Sequence, residues 1–190
     1  MSKVLTGLQD QILVASPHLH DPYFERSVIY ICDHSDIGAT GFVVNIPTEL
    51  MLSDVFSDMS ITVSNARCHD QAVFSGGPIK TQQGFVLHRS TEKKWTSSLH
   101  MGGELAVTSS RDILDAMASD AVNTDEHLLI LGYASWSSGQ LEDELVHNDW
   151  LIAPRDMKLI FDTPIEARWD AAMYSLGVNP MHLSDAVGYA

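Results

Sequence analysis

Short apolar runs, separated by polar breaks that carry Gly, Pro, Asp or Asn, follow one another through most of the chain. Residues 11–16, 27–33, 40–45, 72–75, 84–88, 104–108, 128–133 and 149–153 are rich in Val, Ile, Leu and Phe, and each predicts a β-strand. Leu128-Leu129-Ile130-Leu131 is apolar without alternation, which suits a strand covered on both faces.

Helices are marked by their ends. Ser109 stands three residues before Asp112 in a capping-box-like start, and Ile113, Leu114 and Met117 then share a face. Gly139 opens a second helix, with Leu141 and Leu145 four apart and Glu142-Asp143-Glu144 near its positive end. A third is predicted from Thr163 as N-cap and Pro164 in the first turn, through Glu166, to a stop at Gly177. Its residues Ile165, Trp169, Ala172, Met173 and Leu176 keep helical spacing. Shorter turns are expected around 52–57 and 155–160, and 66–70 and 90–98 read as long connections. Strands outnumber helices, and most helices come after several strands. That order predicts an α+β (mixed α/β) fold with a mixed sheet, in one domain covering residues 1–190.

Composition narrows the partners. Eleven Lys and Arg face 25 Asp and Glu, for a net charge of −14, and protonating all nine histidines would leave the chain acidic. Such a chain lacks the basic footprint that phosphate neutralisation needs, so direct nucleic-acid binding is disfavoured. The longest apolar run, Val28-Ile29-Tyr30-Ile31-Cys32, is far too short to span a membrane. Met1-Ser2-Lys3-Val4-Leu5 is followed by Thr6, Gly7, Gln9 and Asp10 before a signal core can form, and two cysteines make no disulfide framework. The expectation is a cytoplasmic protein without a membrane partner.

The sequence holds no phosphate-binding loop, dinucleotide fingerprint, zincin motif or nucleophile elbow. Four segments carry candidate chemistry. His18-Leu19-His20-Asp21 with Cys32-Asp33-His34 contains metal-ligand types, but exposed polar strand ends explain it as well, and no metal is assigned. In Asp21-Pro22-Tyr23-Phe24-Glu25-Arg26-Ser27, Arg26 enters an apolar strand and calls for a carboxylate, Asp21 or Glu25 being nearest. Phe74-Ser75-Gly76-Gly77-Pro78 and Gly84-Phe85-Val86-Leu87-His88 offer paired glycines for close backbone approach and a titratable His88. Gly132-Tyr133-Ala134-Ser135-Trp136-Ser137-Ser138-Gly139-Gln140-Leu141-Glu142 reads as a strand, a small-residue loop and a helix start. Its hydroxyls and aromatic rings suit either an anion or a packing role.

Read in order, these segments resemble the AlgH/YqgE family of bacterial proteins. The resemblance is carried by Asp21-Pro22-Tyr23-Phe24-Glu25-Arg26-Ser27-Val28-Ile29-Tyr30-Ile31-Cys32, Gly38-Ala39-Thr40-Gly41-Phe42-Val43-Val44-Asn45, Gly76-Gly77-Pro78 with Gly84-Phe85-Val86-Leu87-His88, and Ser110-Arg111-Asp112-Ile113-Leu114. It ends in Gly132-Tyr133-Ala134-x-Trp136-x-x-Gly139-Gln140-Leu141-Glu142-x-Glu144-x-x-x-Asn148-x-Trp150. It implies a single domain with a bent, bifurcated mixed sheet forming a pseudo-barrel flanked by helices. It also brings a label of transcriptional regulator, from an association with control of alginate synthesis. Thr40, Ser135, Ser137, Ser138 and Ile46 depart from the residues usual in the family.

The combined expectation is a non-enzymatic regulatory or interaction protein with a protein or small-molecule partner, no cofactor and no assigned catalytic residue. Candidate contact residues are Asp21, Arg26, Asn45, Gly76, Gly77, His88, Tyr133, Trp136, Gln140 and Glu144. The alternative is an enzyme or small-molecule-binding protein with a pocket near His88, Tyr133, Trp136, Gln140 and Glu144.

Overall fold

Runs of Val, Ile and Leu become strands here wherever a turn-former bounds them. The computed structural model describes residues 7–101 and 103–180. The start at Met1-Ser2-Lys3-Val4-Leu5, on which the absence of a signal core is read, lies outside these residues. The strands are β1 (Gln11–Ala15), β2 (Val28–Ser35), β3 (Gly38–Val43), β4 (Pro47–Met51), β5 (Ala72–Ser75), β6 (Ile79–Arg89), β7 (Ser98–Met101), β8 (Leu105–Thr108), β9 (His127–Ser137) and β10 (Trp150–Pro154). Among the described residues the α-helices are α1 (Leu52–Asp58), α2 (Arg111–Ala118), α3 (Gln140–Val146) and α4 (Arg168–Ser175). The class is α+β with a mixed sheet. The pairings are antiparallel except where β5 runs parallel to β9.

The chain forms two compact units, one ending at Asn45 and resuming at Ala134, the other comprising Ile46–Tyr133. In the first, the strand order is β10-β1-β2-β3, and β3 pairs with the last residues of β9, Gly41 opposite Ala134 and Gly38 opposite Ser137. Ile12, Leu13, Val14, Ile29, Tyr30 and Ile31 are wholly buried, as continuous apolar strands require. A bulge at Ile31/Asp33 takes Cys32 out of register, and its thiol donates to the Thr40 carbonyl at 3.2 Å. From α4, the Trp169 indole donates to the Ala15 carbonyl at 2.8 Å. The buried Arg168 donates to the carbonyls of Val44 and Thr163. Burial lowers the Arg168 guanidinium to about 10.

In the second unit, β5 and β6 flank the first part of β9, β4 pairs with β5, and β8 and β7 follow β6. Its core includes Leu52 and Phe56 of α1, Ile113 and Met117 of α2, Val73, Val86 and Leu129, with the Cys68 thiol against the Met117 carbonyl at 3.7 Å. Between the pairs Ile79–Tyr133 and Gly84–Leu131, β6 carries extra residues that bulge from the ladder, and Lys80 there has φ +48°.

The structure corrects several expectations. Thr163 does not cap a helix: its N–H and hydroxyl both donate to the Lys158 carbonyl and close a π turn over Lys158–Asp162. Pro164 is then extended, Ile165–Ala167 is a 3-10 turn, and α4 begins only at Arg168. The stop at Gly177 (φ +75°) stands. The cap of α2 is Ser110, not Ser109, because the Asp112 carboxylate is bonded to Ser110 and to the N–H and hydroxyl of Thr96. The expected loop at 134–138 is strand to Ser137, since β3 pairs with it. Residues 66–69 form a 3-10 turn, and β4 and β7 are strands that the pattern does not announce.

Candidate functional site

The densest polar–aromatic arrangement in the first unit is built where β9 ends and α3 begins. Gly139, at φ +77°, turns the chain so that Gln140 and Glu144, one helical turn apart, face the strand. Glu144 Oε2 accepts from the Trp136 indole at 2.8 Å and from the Trp150 indole at 2.7 Å, while Oε1 accepts from the Gln140 amide at 2.9 Å. Gln140 Oε1 in turn accepts the N–H and hydroxyl of Ser137 at 3.0 and 3.1 Å. The Trp136 and Trp150 rings meet edge to face at 6.0 Å, and Phe24 packs on both. Two residues before Glu144, Glu142 meets His34 Nε2 at 2.9 Å. His34 Nδ1 accepts the Leu8 N–H, so Nε2 carries the proton given to Glu142. Two of the three hydroxyls weighed for an anion in this segment have internal partners. Ser137 is committed to Gln140 and Ser138 to the Asp36 carbonyl.

Asp21, Arg26 and Asn45 shape the entry to β2. Asp21 Oδ1 accepts the N–H groups of Tyr23 and Phe24, an Asx-type turn that delivers Phe24 to the two tryptophans. Arg26 pairs with neither Asp21 nor Glu25, contrary to expectation. It sits at φ +54°, which turns its side chain to Asp170 at 3.2 Å and over the Trp169 ring at 4.1 Å. Asn45 brackets this bend, accepting the Val28 N–H at 2.7 Å and donating to the Arg26 carbonyl at 2.9 Å.

In the second unit, Gly76, Gly77 and Gly132 let three backbones touch. A Cβ on Gly76 would stand 2.3 Å from the Gly132 carbonyl oxygen, and one on Gly132 (φ +73°) 2.7 Å from that of Gly77. Tyr133 meets Phe85 edge to face at 6.1 Å. His88 is buried, its Nδ1 bonded to the Arg89 carbonyl at 2.9 Å and its Nε2 to the Thr108 hydroxyl at 2.8 Å. It stands opposite His127, six strand residues from Tyr133 and hence about 20 Å along β9. Of the expected cluster, Trp136 and Gln140 are joined through Glu144, whereas His88 bonds to Arg89 and Thr108 and Tyr133 packs on Phe85. Among the described residues no group of three or more His, Cys, Asp or Glu gathers as metal ligands.

A concave feature of this unit was not foreseen. A cavity of about 620 Å³ opens among α1, α2, β6 and β9. Val55, Met59, Leu114, Leu129 and Leu131 give it apolar walls, and Asp58, Gln82, Gln83, Ser109 and Arg111 supply its polar groups. The size lies within the range of small-molecule sites, roughly 300–1,000 Å³. Gly84 keeps it open: a Cβ there would make only ordinary contacts, 3.6 Å to Leu129 and 3.8 Å to Leu131. A lone glycine inside a strand was the available signal, and Gln82-Gln83 before it the other.

Comparison with known proteins places this geometry. A family model described as AlgH-like matches residues 12–181. A UPF0301 protein of Xanthomonas campestris is 45% identical over 190 residues, covering both chains completely. One of Saccharophagus degradans is 44% identical over 184 residues, 97% of this chain and 89% of that one. The solution structure of the AlgH protein from Pseudomonas aeruginosa superposes with a TM-score of 0.77 at 40% identity, covering 100% of this chain and 99% of that one. The crystal structure of DIP2367 from Corynebacterium diphtheriae shares the fold, with a TM-score of 0.67 at 20% identity over 88% and 86% of the two chains.

Proposed function

Since the chain belongs to the AlgH-like family, whose shared motifs serve here to hold backbone and rings in place, we propose that it is a non-enzymatic regulatory protein that binds a small molecule. The ligand occupies the cavity of the Ile46–Tyr133 unit. One observation carries this reading. The polar atoms of Trp136, Gln140, Glu144, Asn45 and His88 have internal partners, whereas the 620 Å³ cavity combines apolar walls, polar groups and a glycine that leaves it unfilled. The bulge of β6 and the positive φ of Lys80 support it, because irregular backbone beside a cavity re-aims side chains at little cost to the rest of the sheet.

Regulation through direct DNA contact is disfavoured by the charge of −14. Two free buried thiols fit a reducing compartment, and we place the protein in the cytoplasm. Among the described residues no helix is long and apolar enough to cross a membrane.

A thermal-shift screen of metabolites and fragments tests the proposal, run in parallel on Gly84→Leu. A true ligand raises the melting temperature of the parent protein and not of the filled variant. Protection that is identical in both proteins would refute the cavity as the site. Duplex DNA in low salt is the companion assay, and tight, salt-sensitive binding would overturn the ranking.

A further inference from the structure

The geometry points to a particular ligand class for this cavity: a monocarboxylate with an unbranched alkyl chain, of the fatty-acid type. The inference rests on the small-molecule reading above and adds the chemistry of the ligand.

The walls decide the body of the ligand. Leu129 and Leu131 are two apart on β9, Val55 and Leu114 come from α1 and α2, and Met59 is the residue that ends α1. Among the described residues every apolar group lining the cavity is aliphatic or a thioether, and none is an aromatic ring. Flat heterocycles gain most by stacking on rings, and none is offered. A flexible alkyl chain needs only methyl and methylene surface, and methionine adapts to its shape.

The charges decide the head. Among the described residues Arg111 is the one basic group lining the cavity. Its Nε lies 3.6 Å from Asp115 Oδ1, a loose contact in which the arginine stays 55% exposed, so the terminal nitrogens keep a fork for two carboxylate oxygens. Asp58, on α1, also lines the cavity and repels a second carboxylate. Gln82 and Gln83 complete the polar rim with groups that tolerate either neutral or charged neighbours. A monoacid therefore fits better than a diacid.

Isothermal calorimetry below the micellar range, on the full chain, tests this with hexanoate, octanoate, decanoate, decanol, decylamine and decanedioate. Decanoate is expected to bind, and affinity to rise about threefold to fourfold per methylene along the acid series until the cavity is filled. Arg111→Gln should weaken decanoate at least tenfold and leave decanol unchanged, with Arg111→Lys restoring part of the loss. Gly84→Leu, or Gly84→Val where leucine impairs folding, should abolish binding of all the alkyl probes. Decanol or decylamine binding as tightly as decanoate, or an Arg111→Gln variant that binds decanoate normally, overturns the acid head while the small-molecule reading stands. Decanoate binding that survives both cavity-filling variants overturns the site. If no alkyl probe binds although a compound from the thermal-shift screen does, the ligand class alone fails. If neither binds, both fail.

Discussion

The imidazole of His88 lies flat against that of His127, their ring centroids 5.2 Å apart and their planes within 8°. The two face each other across the β6–β9 ladder, with Trp95 edge-on to His88. His127 Nδ1 bonds to the Asn123 carbonyl at 2.7 Å, as His88 Nδ1 does to that of Arg89. Burial lowers both rings, His127 to about 4, and a charge on His88 or Lys93 pushes His127 the same way.

Acid should therefore loosen the fold through this pair. An unfolded histidine titrates near 6.5, so between pH 6.5 and about 4 the unfolded chain binds more protons than the folded one. Stability is full above pH 6.5 and falls as the pH drops through that window, by about 3 kcal/mol for His127 once it is crossed. Urea unfolding of the parent protein and of His127→Asn at pH 7 and pH 4.5 is the check. The variant should lose less stability between the two pH values, and an equal loss would remove His127 from the account.

Glu144 should matter for stability more than its half-buried position suggests. Glu144→Ala leaves two indole donors and one amide without their acceptor, which predicts a loss of about 3 kcal/mol in urea denaturation. Glu144→Gln should be intermediate, and the indole N–H resonances of both Trp136 and Trp150 should move together. A shift in one alone would contradict the shared acceptor.

Three glycines should respond in opposite ways to alanine. Gly76→Ala and Gly132→Ala drive a methyl into neighbouring carbonyl oxygens, so each is expected to destabilise by about 3 kcal/mol or more. Gly84→Ala meets only ordinary contacts at an extended position and should be neutral or stabilising by about 0.5–1 kcal/mol. Melting temperatures of the three variants decide it.

Asn45 is expected to act as a bracket rather than as a ligand-binding group. Asn45→Ala removes both bonds that hold the Arg26 bend, with a predicted loss of about 1–2 kcal/mol. Asn45→Asp keeps the acceptor for Val28 and should recover part of it. Ligand responses in the thermal-shift screen should be unchanged in both.

The legible parts of this protein are those encoded locally. β1, β2 and β8 lie where continuous apolar runs put them, because a strand covered on both faces needs no partner to be recognised. Pro47–Met51 and Ser98–Met101 are short and half-exposed, and only pairing with β5 and β8 makes them strands. Thr163 carried a sound capping signal, yet the preceding turn captured both its donors. The approach of Trp136, Gln140 and Glu144 was within reach, since 140 and 144 share a helix face. The share of Trp150 in the same carboxylate was not, because β10 is placed by pairing with β1. The cavity was hidden for the same reason: Val55, Gly84, Leu114 and Leu131 come from four separate elements.

The two cysteines acquire a use from where they lie. Cys32 belongs to the unit that ends at Asn45, Cys68 to Ile46–Tyr133, and both thiols are buried. Burial pushes Cys32 up to about 12 and raises Cys68, so neither offers a thiolate to an alkylating reagent while its surroundings are closed. Each is thus a clock for the opening of its own half. Equal labelling rates in Cys32→Ser and Cys68→Ser proteins would mean that the halves open as one, and unequal rates would measure how independently each one breathes.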